Sequence, residues 1–359
     1  MAVEQTHEDL PEATDPIISI HEASVTYDDG QSYVLDGVSL DIERNEIVGV
    51  VGESGSGKSM FAESMLDAVP DPGVLSGEIL YHPDAETTID ILNLTKDELR
   101  KLRWEDISMV FQGAMSSFNP TMSIKEHFIE TVETHDADVS EGIDRARELL
   151  KDLYLDPDRV LNSYPHELSG GMQQRALIAL SLVLDPDVLV MDEPTAALDL
   201  LMQQSILILL RELQTKYDLT MVFITHDLPL VATLADRLAV MYAFNLIEVA
   251  PAEELIEHPA HPYTRALLNS TPNLNAPLEE MRPIEGQSPA PINVPDSCAY
   301  HPRCPLATEK CREDKPPFEM TENEHTAACF HQEEAQEVIE LNYEELLQHD
   351  SEIRGGDDW

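Results

Sequence analysis

The chain has 359 residues, room for one large domain and a smaller one, and its 42% hydrophobic content supports a packed core. Its 69 acidic and 22 basic residues give a formal net charge of −47, which disfavours nucleic acid as a direct partner because phosphate neutralisation needs clustered Lys and Arg. The acidic residues are spread along the whole chain, which favours a halophilic protein over a merely acidic one, since a high-salt cytoplasm screens self-repulsion.

Neither a membrane span nor a signal peptide is predicted. No apolar run approaches the roughly 18 to 20 residues that a spanning helix needs. The stretch MAVEQTHEDLPEATDP at the start is acidic and lacks an apolar core. The chain is therefore expected to be cytosolic, or bound to the cytosolic face of a membrane through a partner.

The first predicted core strand, 46–51, leads into the glycine-rich stretch GESGSGKS, 52–59, and a helix is predicted from there to about residue 68. The stretch fits G-x-x-x-x-G-K-[ST], a phosphate-binding loop, and not the dinucleotide pattern, because Ser54 stands where the second glycine would be. The loop N–H groups favour an anion, the lysine suits the β- and γ-phosphates, and the final serine offers a hydroxyl to Mg²⁺. The predicted nucleotide-contacting residues are Gly52, Glu53, Ser54, Gly55, Ser56, Gly57, Lys58 and Ser59.

A second apolar stretch, MVFQG at 109–113, predicts a short strand that ends in Gln112. A neutral amide at a strand end is suited to Mg²⁺ or to the attacking water of a hydrolysis reaction.

The stretch LSGGMQQR, 168–175, opens a further predicted helix with Ser169, Gly170 and Gly171. It provides a second helix N-terminus that favours an anion, this time without a lysine. One chain therefore carries two helix N-termini suited to phosphate, about 110 residues apart in the sequence.

Two more continuous apolar strands end in polar residues. The strand at 187–194 ends in Asp192, placed to support Mg²⁺, and Glu193, placed to orient or deprotonate water for attack on the γ-phosphate. The strand at 219–227 ends in His226, a candidate γ-phosphate contact. Because such strands are typical of buried parallel sheets, these side chains are expected at one edge of the sheet.

Together these motifs resemble the ATPase subunit of an ABC transporter, and the resemblance covers the whole chain. It implies an α/β fold, the P-loop NTPase fold of the ABC type, with a parallel-sheet core, an antiparallel β subdomain, a helical subdomain and a small Cys-containing C-terminal extension. The resemblance also implies a domain organisation. The implied parts are an acidic N-terminal tail at 1–16, an ATPase domain at 17–250 with its helical subdomain at about 113–175, an extension at 251–332, and an acidic helix and tail at 333–359.

The resemblance assigns a role to each motif. It implies that 52–59 is Walker A, that Gln112 is the Q-loop, that Asp192 ends Walker B, that Glu193 is the catalytic base and that His226 is the switch histidine. The remaining assignments are a D-loop of Ala197, Leu198 and Asp199, and Tyr27 as the residue stacked on adenine, with a packing tyrosine as the alternative. The signature at 169–171 is expected to close over ATP held by a second ATPase subunit, so that a head-to-tail dimer shares two competent sites.

Three stretches resemble dipeptide and oligopeptide importer ATPases: 258–272 and 286–311 in the extension, and FQGAMSSFNP at 111–120. One departure is visible, because Phe244 and Asn245 stand where that family usually has a glycine and a basic residue. The departure puts the local hairpin in doubt.

All four cysteines lie in the extension, at Cys298, Cys304, Cys311 and Cys329. In a reducing cytosol disulfides are disfavoured, and the close C-x2-4-C pairs usual for zinc are absent. Four thiolates suit a [4Fe–4S] cluster, and the resemblance favours that choice because some peptide-importer ATPases carry one in this extension. Zinc and free thiols remain the alternatives.

The resemblance therefore predicts an ATP- and Mg²⁺-dependent ATPase of a peptide importer, peripheral to the cytoplasmic face of the membrane. Its expected partners are a second ATPase subunit, two membrane permeases and an extracellular solute-binding protein. One alternative is the same role in an importer of nickel or a sugar. Another is a soluble ABC ATPase acting on ribosomes or DNA, which is disfavoured by the single phosphate loop, by the roughly 108 residues between Ser59 and Leu168, and by the acidic composition.

Overall fold

The computed structural model describes residues 15–113, 117–196, 198–270, 284–320 and 324–341. Most of the predicted N-terminal tail, the D-loop residue Ala197 and residues 342–359 lie outside these ranges. The strands, β1 to β12 in chain order, are Pro16–Tyr27, Ser32–Glu43, Ile47–Val51, Val74–Tyr81, Ile89–Asp90, Ile107–Val110, Val188–Asp192, Thr220–Thr225, Arg237–Tyr242, Asn245–Pro251, Glu319–Met320 and Thr326–Ala327.

The helices carry the labels α1 to α12 in the same order. They are Lys58–Ser64, Lys96–Glu105, Ile124–Thr134, Val139–Asp152, Pro157–Leu161, Gly170–Ser181, Leu200–Tyr217, Leu228–Ala232, Ala252–Glu257, Pro262–Ser270, Glu309–Glu313 and Gln332–Val338. Single 3-10 turns lie at Asp28–Gly30, Ile91–Asn93 and Pro165–Glu167. No helix within the described ranges is both long enough and apolar enough to cross a bilayer.

Five strands of the main sheet run parallel, in the order β9-β3-β8-β7-β6. Strands β3, β7 and β8 are buried along their whole lengths, and alternate side chains enter two different cores. In β3, Val48 and Val50 face one core, and Ile47 and Val51 face the other. This two-sided burial is that of a parallel sheet covered on both faces, so the predicted parallel-sheet core is confirmed.

Each face of the parallel sheet has its own cover. An antiparallel sheet in the order β2-β1-β4-β5 packs with α1 over one face, where Ile18 and Phe61 share a core with Val50. Helices α3 to α7 cover the other face, where Phe128 and Leu149 join the core around Val51. The predicted antiparallel and helical subdomains are therefore confirmed.

The main sheet continues beyond the parallel strands into the C-terminal part of the chain. Strand β10 is antiparallel to β9, and β12 and β11 extend the sheet from β10. The fully buried Glu248 of β10 accepts hydrogen bonds from the N–H groups of Ala260 and His261, and its Oε1 lies 2.7 Å from Nε2 of His325. The residues after 251 therefore complete the sheet of the ATPase domain.

The β9–β10 hairpin, which the sequence left in doubt, is formed. Its two turn residues, Ala243 and Phe244, both have positive φ, at 49° and 71°, the conformation that matches a two-residue hairpin turn to the strand twist. Phe244 is buried, and its N–H donates to the carbonyl of Ser56 at 3.0 Å. Burial and this bond offset the strain that a glycine would have avoided.

The apolar residues Val338, Ile339, Leu341, Leu346 and Leu347 predict an amphipathic helix over 332–348, and the helix in the structure is shorter. Helix α12 ends at Val338, which is 59% exposed, and Ile339 and Leu341 follow the helix. The carbonyl of Ile339 instead accepts a hydrogen bond of 2.7 Å from Nε of Arg265. The apolar pattern beyond Leu341 includes Leu346 and Leu347, which lie outside the described residues.

Candidate functional site

The phosphate loop joins β3 to α1, as the glycine pattern predicts. Gly57 is the N-cap of α1 with φ of 105°, and a Cβ there would lie 2.8 Å from the carbonyl of Val34. A Cβ at Gly52 would lie 2.3 Å from the carbonyl oxygen of Met241. Glycine is therefore required at both positions, because any side chain would push the loop away from its neighbours.

Lys58 lies at the centre of the loop. Its Nζ donates to the carbonyls of Gly52 at 2.8 Å and Glu53 at 2.9 Å, and the side chain is buried. Burial lowers the pKa of Lys58, opposed by the nearby carboxylates of Glu193 and Asp192. The loop thus encloses one positive charge beside the helix N-terminus, where an anion is favoured.

Asp192, at the end of β7, is positioned against the first turn of α1. Its carboxylate is 4% exposed and accepts a hydrogen bond from the hydroxyl of Ser59. Burial raises the pKa of Asp192, and Oδ1 has no hydrogen-bond partner. A hydroxyl beside a buried carboxylate with one unsatisfied oxygen is a donor set that suits Mg²⁺.

Glu193 brings the three predicted catalytic residues together. Its Oε2 accepts a hydrogen bond of 3.1 Å from Nε2 of Gln112, and its Oε1 lies 3.2 Å from Nδ1 of His226. The residues follow β6, β7 and β8, which are adjacent strands, so their carboxyl ends meet at one edge of the sheet. Glu193 has φ of 45°, and its N–H donates to the carbonyl of Ile224, so the backbone fixes the carboxylate between its partners.

Tyr27, predicted to stack on adenine, ends β1 and is half-buried. Its hydroxyl donates to the carbonyl of Pro70 at 3.2 Å, and its ring packs over Gly73, where a Cβ would lie 2.8 Å from the ring. The ring also packs against the core below the antiparallel sheet. These contacts fit a packing tyrosine as well as a stacking one, so adenine contact stays a prediction.

The signature residues open α6 as predicted. Ser169 is its exposed N-cap, and its side chain makes no capping hydrogen bond. Asp199 caps α7 by accepting from the N–H of Met202, whose side chain packs over Gly171. Within the described residues, no hydrogen bond or ion pair joins 169–171 to the phosphate loop of the same chain.

A group of residues that the sequence did not indicate holds the outer side of the loop. The carboxylate of Glu53 forms a paired contact with Arg303 and accepts from the hydroxyl of Ser288, and the N–H of Glu53 donates to the hydroxyl of Tyr263 at 2.9 Å. The hydrogen bonds from Arg303 and Ser288 outweigh burial and hold the pKa of Glu53 below its ordinary value. No short motif links residues 210 to 250 positions apart, so no signal in the sequence pointed to these contacts.

The four cysteines meet as the sequence grouped them. All are free thiols, and all line one small cavity, together with His261, Tyr300 and His331. Burial raises the pKa of Cys304 to about 11 and of Cys329 to about 12, and the neighbouring thiols add to both effects. In the described parts of the chain, however, no three His, Cys, Asp or Glu side chains are arranged to hold a metal ion.

Two family models match the chain. Residues 35–196 match the ABC transporter model, and residues 247–311 match the C-terminal region of oligopeptide/dipeptide transporters. The dipeptide transport ATP-binding protein DppD of Caldanaerobacter subterraneus subsp. tengcongensis is 45% identical over 89% of this chain and 98% of its own length. The oligopeptide transport ATP-binding protein OppD of Salmonella typhimurium is 35% identical over 92% of this chain and 98% of its own length.

Solved structures agree with this similarity. The dimeric structure of MJ0796, described as a bacterial ABC transporter cassette, has a TM-score of 0.56 and 30% sequence identity, covering 66% of this chain and 98% of that one. The cbiO1 protein of Clostridium perfringens, part of an ABC transporter complex, has a TM-score of 0.57 and 28% identity, covering 67% of this chain and 91% of its own.

Proposed function

Because the chain belongs to the ATP-binding proteins of dipeptide and oligopeptide ABC transporters, we propose that its ATP hydrolysis powers the import of peptides. The observation that carries the hydrolytic role is the placement of Glu193 between Gln112 and His226 at the edge of the sheet. The peptide assignment is supported by the two relatives and by the family match at 247–311.

The residues divide the work of hydrolysis. The loop N–H groups and Lys58 bind the phosphates, and Ser59, Asp192 and the side-chain amide oxygen of Gln112 would hold Mg²⁺, which would neutralise phosphate charge. Glu193 accepts the proton of the attacking water. His226 holds the same carboxylate from the other side, so the base has one orientation when the γ-phosphate is in place.

We infer that two ATPase subunits assemble head to tail. The exposed Ser169 at the start of a twelve-residue helix makes no capping bond with its side chain and, within the described residues, no hydrogen bond to its own phosphate loop, which fits a contact to ATP on the partner. Ser169→Arg should leave ATP binding to the phosphate loop of this subunit intact. It should abolish ATP turnover at the shared site on the partner in the assembled complex. Unchanged turnover in that complex would contradict the shared site.

The remaining assembly is inferred from the family. Two permeases are proposed to dock on the helical subdomain at the cytoplasmic face of the membrane, with a solute-binding protein outside the cell. The test is a mild-detergent pull-down of the chain from its own cells at native salt, followed by mass spectrometry. Two multi-span permeases, a second ATPase and a solute-binding protein are expected. Ribosomal or DNA-repair proteins without a membrane partner would contradict the transport role.

For the four cysteines we propose a [4Fe–4S] cluster, supported by free thiols that line one cavity. The thiolates would have to move into ligating positions, and ligation would then stabilise a segment with little apolar core of its own. Protein purified without oxygen should contain about four irons per chain with matching sulfide. Stoichiometric zinc, or protein without metal, would overturn the proposal.

We also propose that the chain is adapted to high salt, on the basis of its net charge of −47. Salt screens repulsion among exposed carboxylates, so the melting temperature should rise steeply with salt concentration. Full stability in dilute buffer would count against this adaptation.

A further inference from the structure

We propose that Arg303, from the C-terminal extension, is a positioning residue for the phosphate loop, which it holds through Glu53 in the form that binds ATP. The proposal rests on the assignment of residues 52–59 as the ATP-binding loop. It concerns a residue 250 positions away from that loop in the sequence.

The contact between the two side chains is a parallel pair of charge-assisted hydrogen bonds. Nη1 of Arg303 lies 2.7 Å from Oε2 of Glu53, and Nη2 lies 2.8 Å from Oε1. The same guanidinium also donates to the hydroxyls of Ser288 at 3.2 Å and Tyr242 at 3.3 Å, and its Nε donates to the carbonyl of Glu285 at 2.8 Å. This planar fork fixes the direction of the carboxylate as well as its charge.

The pair is desolvated on the arginine side. The Arg303 side chain is 4% exposed, against 26% for Glu53, and its guanidinium lies over the rings of Tyr242 and Tyr300 at 5.7 and 5.9 Å. Tyr263 packs 4.6 Å from the ring of Tyr242. The hydroxyl of Tyr263 accepts from the N–H of Glu53. The aromatic cluster of Tyr242, Tyr263 and Tyr300 therefore holds the backbone of Glu53 directly and its side chain through Arg303.

The charge of Glu53 makes this support necessary for nucleotide binding. The backbone carbonyl of Glu53 accepts a hydrogen bond from Nζ of Lys58, so Glu53 directly contacts the side chain that binds the phosphates. Without Arg303, a half-buried carboxylate would be left unpaired beside a highly charged anion, and the loop would lose its outer anchor. Removing one partner of a desolvated charge pair leaves the other charge with its desolvation cost, so the paired conformation of the loop would lose stability and bind the phosphates less tightly.

The test compares Mg-ATP affinity in four full-length proteins at one fixed salt concentration: the parent, Arg303→Ala, Glu53→Gln and the double variant. Arg303→Ala should weaken ATP binding roughly tenfold in the parent background and by less than about twofold in the Glu53→Gln background. A purely structural role would give the same loss in both backgrounds, and that result would overturn the proposal. Arg312→Ala is the matched control, since Arg312 is exposed in the same segment, and it should leave ATP affinity unchanged.

Arg303→Lys keeps the charge and the aliphatic stem but cannot form the parallel pair, so it provides a milder variant if Arg303→Ala does not fold. It should weaken ATP binding by about threefold, and unchanged affinity would overturn the proposal. Lys58→Ala is measured alongside. If that variant binds ATP as tightly as the parent, the assignment of the loop itself is wrong, whereas a loss at Lys58 without a loss at Arg303 defeats only the present inference.

Discussion

Two regions of the chain flank the phosphate loop, one on each side. They differ in their position in the sequence and in their chemistry. On the inner side, Lys58, Asp192 and Glu193 come from motifs at the carboxyl ends of β3 and β7 and present charges toward the nucleotide. On the outer side, Tyr263 and Arg303 come from the C-terminal segment and hold the loop without facing the reaction. The inner side is expected to set turnover and the outer side to set affinity, and the predictions below test that division.

The largest effect is expected at the base. Glu193→Gln keeps the size of the side chain and its neighbours Gln112 and His226 but cannot accept a proton, so turnover should fall by about 10²- to 10⁴-fold while ATP binding is retained. Phosphate release and nucleotide binding are measured on the same preparation. Glu212→Gln, an exposed change on α7, is the control. Turnover at the parent rate would remove Glu193 from its assigned role.

The next effect is expected at the loop lysine. Lys58→Ala removes a buried charge that faces the phosphates, and charged hydrogen bonds are worth about 1.5 to 3 kcal/mol, so ATP affinity should fall by about 10- to 100-fold. Titration calorimetry with Mg-ATP measures the change. A Lys58→Ala protein that lost turnover but kept the ATP affinity of the parent would contradict this assignment, because Lys58 is the one inner residue expected to affect both.

Glu46 immediately precedes β3, the strand that leads into the phosphate loop. Changing it should alter the stability of the protein and leave ATP binding unchanged. Burial raises the pKa of Glu46 to about 6, against an opposing effect of Arg237, so the stability that protonation provides is lost as the pH rises through that value. Glu46→Gln imitates the protonated form. It should therefore be more stable than the parent above pH 6 by about 2 kcal/mol, because each pKa unit corresponds to about 1.4 kcal/mol.

The two proteins should converge in stability as the pH falls toward 4.5, the ordinary value for glutamate. Denaturant unfolding at several pH values measures this difference, and ATP affinity should stay constant. An identical pH dependence in both proteins would show that Glu46 does not titrate in this way.

The smallest effect is expected on the outer side. Tyr263→Phe keeps the buried ring and removes only the hydroxyl that accepts from the N–H of Glu53, which should cost about 1 kcal/mol and weaken ATP binding severalfold at unchanged maximal turnover. Tyr300→Phe alters the same ring cluster, and in the described structure its hydroxyl makes no hydrogen bond to the loop. Equal losses in the two variants would mean that the cluster acts only through stability.

The inner side could be predicted from the sequence because its geometry is local. A glycine-rich loop between a strand and a helix, and polar residues after adjacent buried strands, determine where Lys58, Asp192 and His226 lie once the sheet is parallel. The outer side could not be predicted, because the pairing of Glu53 with Arg303 depends on how the chain returns after β10. Sequence patterns carry no record of that return.

The remaining differences have similar causes. The hairpin at Ala243 and Phe244 forms with two non-glycine residues at positive φ, because burial and a bond to Ser56 compensate the strain. Helix α12 stops early because Arg265 takes the carbonyl of Ile339, a tertiary contact that apolar periodicity does not record. The four cysteines line one cavity, as their grouping in the sequence suggests. Their spacing in the sequence does not determine whether the thiols are oriented to bind a metal ion.

The antiparallel continuation of the sheet through β10, β12 and β11 bears on how such subunits can be recombined. A chain shortened after Pro251 would keep every nucleotide motif and still lose the neighbours of Glu248, together with both outer anchors of the loop. A chimera that takes its C-terminal segment from a relative would need a carboxylate and a guanidinium that form the same ion pair at positions 53 and 303. The segment and the ATPase domain therefore have to be exchanged together, as one unit.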